Sequence, residues 1–300
     1  MKRFLSLFLL LPLLLTLASC QKEGEPSDTT AAPPSRVAVL FSSLAEAWLD
    51  AGGQIAITVG ETVERGLAPE GTPLVDAGAG KSIDTERLLS LRPDLVILSS
   101  DIPAQVAAGE LCRAAGIPTL SLRIETFEDY CRAIEAMTAL TGSAGQKAEL
   151  SALMTEVEEL LSSQKTEKLR GTRILFVRSG QSSSSTKAKG SNDHFAAAML
   201  RELGCINIAD ETPHLLDTLS AEAILAADPD VIFFSLMGDA AGARAHVDSL
   251  LLRPEWQALS AVREGRVILL PRELFHYKPC GRWAEAYRTL ITLLTEGADE

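Results

Sequence analysis

The chain writes one hydrophobic and polar pattern twice. Residues 85–100 read TERLLSLRPDLVILSS and residues 221–236 read AEAILAADPDVIFFSL, aligned without a gap. Glu86 falls on Glu222, Leu88-Leu89 on Ile224-Leu225, Pro93-Asp94 on Pro229-Asp230, and Ser99 on Ser235. Each copy predicts a short amphipathic helix, a Pro-Asp stop, and a continuous apolar run suited to a strand buried on both faces. Apolar runs also precede the copies, VAVLF at 37–41 and ILFV at 174–177. The pattern therefore predicts two similar α/β lobes with a cleft between them.

The remaining periodicity fills in each lobe. In the first, over 36–126, it predicts a strand at 37–41, a helix at 44–51, a strand at 55–59, the first copy, a helix at 104–115 and a strand at 117–122. Residues 127–170 then carry apolar positions at helical spacing with no strand between them, broken only at Thr141-Gly142-Ser143. This predicts a stiff helical linker. In the second lobe, 171–300, a strand at 173–177, a helix at 194–203, the second copy, one or two helices across 242–259, a strand at 266–270 and a helix at 282–295 are expected.

The N-terminus adds an address. Lys2 and Arg3 precede an apolar stretch from Leu5 to Leu17, too short to span a membrane comfortably, and Leu17-Ala18-Ser19-Cys20 follows. That tetrapeptide resembles a bacterial lipobox, which implies a signal peptide at 1–19, lipidation of Cys20, and a chain held by its lipid on the extracytoplasmic face of the cell membrane. Residues 20–35 read as a disordered tether. The formal charge of −12 argues against nonspecific nucleic-acid binding. Cys112, Cys131, Cys205 and Cys280 show no metal or redox spacing and read as buried thiols, with a disulfide left open.

Lipobox, two α/β lobes, helical linker and the E-x-L-L-x-L-x-P-D-L-V-I phrase together resemble the substrate-binding proteins of ABC importers for ferric siderophores, haem and cobalamin. The resemblance covers residues 36 to about 295. It implies a helical-backbone periplasmic binding fold, a monomer without an intrinsic cofactor or catalysis, a small-molecule metal chelate as cargo, and a permease dimer with its ATPase as partner. Siderophore or haem is the first expectation for the cargo, with cobalamin as the alternative. In the resembling family a glutamate on each lobe docks against permease arginines, and Glu86 and Glu222 occupy the matching phrase. Both also suit a helix's first turn on electrostatic grounds alone.

Competing motifs are weak. Gly78-Ala79-Gly80-Lys81-Ser82 resembles the end of a P-loop, but Val75 stands where its first glycine belongs. An exported α/β hydrolase has no G-x-S-x-G elbow to use. Ligands of open α/β sheets bind beyond the carboxyl ends of the strands. That rule selects Ser42, Ser43, Lys81, Ser100 and Arg123 in the first lobe, and Arg178, Ser179, Met237, His276, Tyr277 and Lys278 in the second. His276 and Tyr277 are iron-ligand types should the cargo be haem, while Arg178 and Lys278 suit anionic chelates. The polar segment 181–192 reads equally as a ligand flap or a solvated loop, and Trp48, Trp256 and Trp283 read as packing residues.

Overall fold

The computed structural model describes residues 32–76 and 82–296. Three parallel strands, β1 (Val37–Val39), β2 (Leu95–Ser99) and β3 (Thr119–Leu122), form the first sheet in the order β1-β2-β3. Parallel bridges from Ala38 to Ile57 and from Thr58 to Leu74 extend it beyond β1. The strand expected at 55–59 is thus only a pair of bridges, because the chain turns into a helix at Gly60–Glu64. The second sheet contains β4 (Arg173–Ser179), β5 (Lys187–Ala188), β6 (Ile206–Asn207), β7 (Val231–Leu236) and β8 (Val267–Leu269). Its parallel spine is β4-β7-β8, with β5 and β6 sharing the outer edge of β4. The two repeat strands, β2 and β7, are central in their sheets and almost wholly buried, as continuous apolar runs require.

The repeated Pro-Asp does more than stop a helix. In both copies the residue before the proline takes a left-handed backbone, Arg92 at φ 49° and Asp228 at φ 38°. The proline sterically disfavours a further helical turn there. The aspartate then reaches across to the neighbouring strand. Asp94 accepts hydrogen bonds from the Arg36 N–H (2.9 Å), the Ser35 N–H (2.7 Å) and the Ser35 hydroxyl (3.0 Å) at the start of β1. Asp230 accepts from the Arg173 N–H (2.8 Å) at the start of β4. Each repeat therefore clamps the amino end of one strand to the amino end of the next, which fixes the register of both sheets.

The linker is two helices with a short third. Phe127–Thr141 ends on Gly142 at φ 70°, a left-handed cap that glycine adopts without penalty. Gly145–Leu161 and Gln164–Glu167 follow. The first packs on helix Ser42–Asp50 of the first lobe, the second on the terminal helix Trp283–Glu296 of the second lobe. Side chains from both sheets, the linker and the terminal helix merge into one hydrophobic cluster. At its centre the Trp283 ring lies 5.9 Å from Phe127, 6.2 Å from Tyr130 and Phe195, and 6.3 Å from Tyr287. Trp48, Trp256 and Trp283 are all buried, in keeping with packing roles. The four cysteines named above are free and buried; burial pushes the Cys131 thiol up to about 11 and that of Cys205 up to about 12. No helix among the described residues is long and apolar enough to cross a membrane. Cys20 and Lys81 lie outside the described residues.

Candidate functional site

The carboxyl ends of both sheets open onto a single cleft of about 340 Å³. Phe41 follows β1, Ser99 and Asp101 end and follow β2, Leu122 and Ile124 end and follow β3, and Glu61 begins the helix after the Ile57–Thr58 bridges. Across from them stand Arg178 near the end of β4, Asp193, His194 and Phe195 at the start of a helix, and His276, Tyr277 and Lys278 after β8. A topological rule about strand ends thus locates the cleft, as expected for an open α/β sheet.

Of the residues selected from sequence, Ser43, Arg178, His276, Tyr277 and Lys278 line this cleft. The others are placed differently, each for a local reason. Ser100 is exposed and gives its N–H to the Leu122 carbonyl, so its neighbours Ser99 and Asp101 face inward instead. Ser42 is buried behind the wall, donating its hydroxyl to Glu61 at 2.5 Å. Ser179 is wholly buried against the Gly180 carbonyl and the Thr186 hydroxyl. Met237 is half-buried outside the lining and gives its N–H to Ser179. Arg123 spans the lobes at the rim, donating to the Asn192 carbonyl at 3.0 Å and pairing with Asp101 at 3.6 Å. The 181–192 segment folds as a 3-10 turn, Ser183–Ser185, and β5; Ser183, Ser184, Thr186 and Lys187 line a separate cavity of about 520 Å³.

Lys278 is already committed. Its ammonium donates to Glu125 at 2.8 Å, with both side chains 14% exposed. The chain then continues as a strap against the first lobe: the Lys278 N–H donates to the Ser43 hydroxyl (3.4 Å), the Cys280 thiol to the Ser43 carbonyl (3.4 Å), and the Gly281 N–H to Asp50 (3.0 Å). Tyr277 sits under Arg65 of the opposite lobe, with the guanidinium 4.1 Å from the ring centre, while Arg65 also pairs with Glu46. Glu61, Glu125, Asp193 and His194 were missed by sequence reasoning. Glu61 and Glu125 lie two and three residues past the strands expected at 55–59 and 117–122, within reach of the strand-end rule, which takes in only Arg123 after the second of them. His194 carries no such signal.

The two imidazoles have opposite tautomers. His276 Nδ1 lies 3.0 Å from the Leu236 carbonyl, which only accepts, so Nδ1 holds the proton and Nε2 carries a free lone pair. His194 Nδ1 accepts from the Ala196 N–H at 3.2 Å, so its proton is on Nε2. Burial depresses both basicities, aided by the Arg272 and Arg178 charges at His276 and by Arg178 and Lys278 at His194. Burial likewise lowers the Arg178 basicity, against the pull of Glu125. No serine hydroxyl of the cleft is hydrogen-bonded to a histidine among the described residues: Ser99 donates to Asp101, and Ser43 receives the Lys278 N–H. What this geometry offers is binding through a Lewis base, hydrogen-bond donors and one guanidinium.

Glu86 and Glu222 lie outside the cleft. Each is exposed in the first turn of its helix, behind a side-chain cap from Asp84 or Ser220. Neither forms an ion pair among the described residues.

Solved structures share this architecture. The apo haem-binding protein RhuT of Roseiflexus sp. RS-1 is 19% identical with a TM-score of 0.69, covering 89% of this chain and 100% of its own. The vitamin B12-binding protein BtuF of Vibrio cholerae is 19% identical with a TM-score of 0.67, covering 90% of this chain and 100% of its own. Staphylococcus aureus SirA complexed with staphyloferrin B is 19% identical with a TM-score of 0.64, covering 89% and 93%. No curated protein sequence matches the chain significantly. The periplasmic binding protein signature, however, matches residues 37–274, which is most of the folded chain, and the protein belongs to that family of solute-binding proteins.

Proposed function

We propose that this chain is the lipid-anchored capture protein of an ABC importer and that its cargo is an iron chelate, a siderophore complex or haem, held in the interlobe cleft. The observation that carries this reading is the Nε2 lone pair of His276 in the same cleft as the guanidinium of Arg178, neither with a partner among the described residues. One imidazole is a single donor of the four to six that a metal requires, so a metal bound here arrives with the rest of its ligands. The relatives named above bind a haem, a cobalamin and a siderophore, which is the chemistry such a site accepts. Cleft dimensions agree with the usual range for small-molecule sites.

The test is native mass spectrometry and absorption titration of the mature protein with haemin, a ferric hydroxamate, a ferric catecholate and cyanocobalamin. Binding of an iron compound, weakened in His276→Ala, is expected. Cobalamin binding alone would replace the iron reading, and binding of none would end it. Two parts of the proposal lie outside the cleft. Replacing Cys20 by Ser should release the protein from membranes of cells lacking the permease. Reversing the charge of Glu86 and Glu222 together should abolish uptake and leave cargo affinity nearly unchanged, since neither lines the cleft. Normal transport by that double variant would remove the docking role.

A further inference from the structure

The second-lobe wall holds two donors that the protein itself leaves unused. Arg178 is half-buried in the cleft and has no hydrogen bond or ion pair among the described residues. None of its guanidinium nitrogens is sealed from the cleft, so the group is open to an anion there. His194 is 6% exposed, and its Nε2–H has no acceptor among the described residues, although its Nδ1 is satisfied. That nitrogen is not sealed in the interior but opens onto the cleft, where a ligand can reach it.

The two belong together. Phe176 and Arg178 are two residues apart on β4 and share a face, and the Phe176 ring lies 4.8 Å from His194. The Phe195 ring also stacks on the imidazole at 4.6 Å, and the two contacts hold its plane. The carboxylates that line the same cleft are occupied. Glu125 takes Lys278, Asp101 takes Arg123 and Ser99, Asp193 takes the Gly190 N–H, and Glu61 takes Ser42. They leave Arg178 as the one lining arginine or lysine without a hydrogen bond or ion pair among the described residues.

The geometry points to an oxyanion subsite: the Arg178 guanidinium and the His194 Nε2–H together receive one carboxylate-type group of the cargo. This rests on the cleft being the cargo site and deepens that reading by giving the cargo a chemical feature. The cargo carries an oxyanion toward the second lobe, while His276 Nε2 faces its electron-poor part. Among the described residues a polyanion finds one free lining guanidinium and three first-lobe carboxylates opposite, so the subsite selects cargo of low net charge.

The depressed basicity of His194 keeps the ring neutral at neutral pH, and the Ala196 N–H at Nδ1 keeps its proton on Nε2. Protonation would not be needed for donation, because the Nε2 proton is present in the neutral ring.

The experiment uses acetate as the probe, titrated into the cargo-free mature protein at constant ionic strength and followed by imidazole 1H–15N NMR. Before acetate, His194 should show the Nε2–H tautomer and His276 the Nδ1–H tautomer. Acetate should shift the His194 Nε2–H signal saturably. Arg178→Gln should abolish the shift. His194→Ser keeps an oxygen to cap the helix and removes the donor; acetate, followed by the Arg178 side-chain signal, should bind about tenfold more weakly. An Nδ1–H tautomer at His194, a shift that does not saturate, or an equal shift in Arg178→Gln would overturn the subsite. A chelate panel in the same variants separates the two claims. If no chelate binds while acetate still titrates His194, the importer reading fails and the subsite stands. If a chelate binds equally well to wild type, Arg178→Gln and His194→Ser, the subsite fails and the importer reading stands.

Discussion

The two lobes are alike at one end of their strands and unlike at the other. At the amino ends, Asp94 and Asp230 make the same clamp onto β1 and β4, each after a proline and a left-handed residue. At the carboxyl ends the first lobe presents Glu61, Asp101 and Glu125, and the second presents Arg178, His194, His276 and Lys278. The repeat strands show where the divergence starts. Ser99 of β2 gives its hydroxyl to Asp101, which keeps a carboxylate at the cleft. Ser235 of β7 gives its hydroxyl to the Phe275 carbonyl at 3.1 Å, and the next carbonyl, Leu236, holds His276. The same serine in the same register thus anchors an acid in one lobe and an imidazole loop in the other. The repeat keeps what a sheet needs, and the loops beyond it differ as a polarised pair of walls.

The largest expected effect comes from joining those walls wrongly. Lys278→Met would leave Glu125 charged and unpaired at a site where both side chains are 14% exposed. Breaking such a pair should cost about 3 kcal/mol in chemical denaturation. Adding Glu125→Gln should recover most of the loss, because the stranded charge is then gone. A single-variant loss below about 0.5 kcal/mol would mean that this pair does not hold the acidic wall to the basic one.

The amino-end likeness is sharpened by its small inequality. Asp94 receives three donors at the start of β1, whereas Asp230 receives one at the start of β4. Asp94→Ala should therefore cost about 2 kcal/mol and Asp230→Ala about 1 kcal/mol. Equal losses would show that the carboxylate's link to the next strand, and not the number of donors, sets its worth.

Acid separates the walls by a different route. His194 and His276 have folded basicities below their ordinary value of 6.5, so below that pH the unfolded chain binds protons that the folded chain refuses. Stability should fall as pH drops through 6.5, by no more than about 1.4 kcal/mol per pH unit for each imidazole. Asp50 and Glu202 act in the opposite sense, since burial raises their carboxyls above 3.8 and 4.5. They bind protons in the fold before the unfolded chain does, which offsets part of the loss as pH approaches those values. Denaturation midpoints at pH 7.5, 6.5 and 5.5 in wild type and His194→Asn test this; an unchanged slope in the variant would acquit His194.

The amino-end likeness was legible as a repeat, with its aspartates read only as helix stops, and the carboxyl-end contrast was legible only in part. A gapless repeat with buried apolar runs places β2 and β7 because strand burial is written in local composition. Strand-end topology then reaches Arg178, His276, Tyr277 and Lys278. It passes over Glu61 although a strand is expected at 55–59, because the helix that starts at Gly60 directly after the Thr58 bridge, and brings Glu61 to the cleft, is not part of the expected pattern. It takes in Ser99 to Asp101 as a span and puts Ser100 forward from it, because a one-residue phase decides which side chain faces the cleft, and composition does not set that phase. That Lys278 is spent on Glu125 while Arg178 stands free is a fact of tertiary distance, separated by 153 residues in the first case. His194 is invisible for a further reason: its role depends on which ring nitrogen the helix start occupies.

The smallest effect concerns the one aromatic that crosses between the walls. Tyr277 belongs to the second lobe, yet its ring lies under Arg65 of the first at 4.1 Å, and that arginine is itself held by Glu46. A half-buried contact of this kind contributes about 0.5–1 kcal/mol, and it depends on the ring face and not on the hydroxyl. Tyr277→Phe should therefore keep full stability, while Tyr277→Leu should lose about 0.5–1 kcal/mol in the same denaturation assay. Cargo affinity gives the second axis. If the phenol oxygen touches the cargo, Tyr277→Phe will weaken binding with stability intact; if the ring is only a wedge between lobes, Tyr277→Phe will be silent in both assays and Tyr277→Leu will move stability alone. Should Tyr277→Phe itself lose stability, the hydroxyl carries the contact, and the charge of Arg65 has to be counted with the acidic wall's own pairs instead of as a bridge to the other lobe.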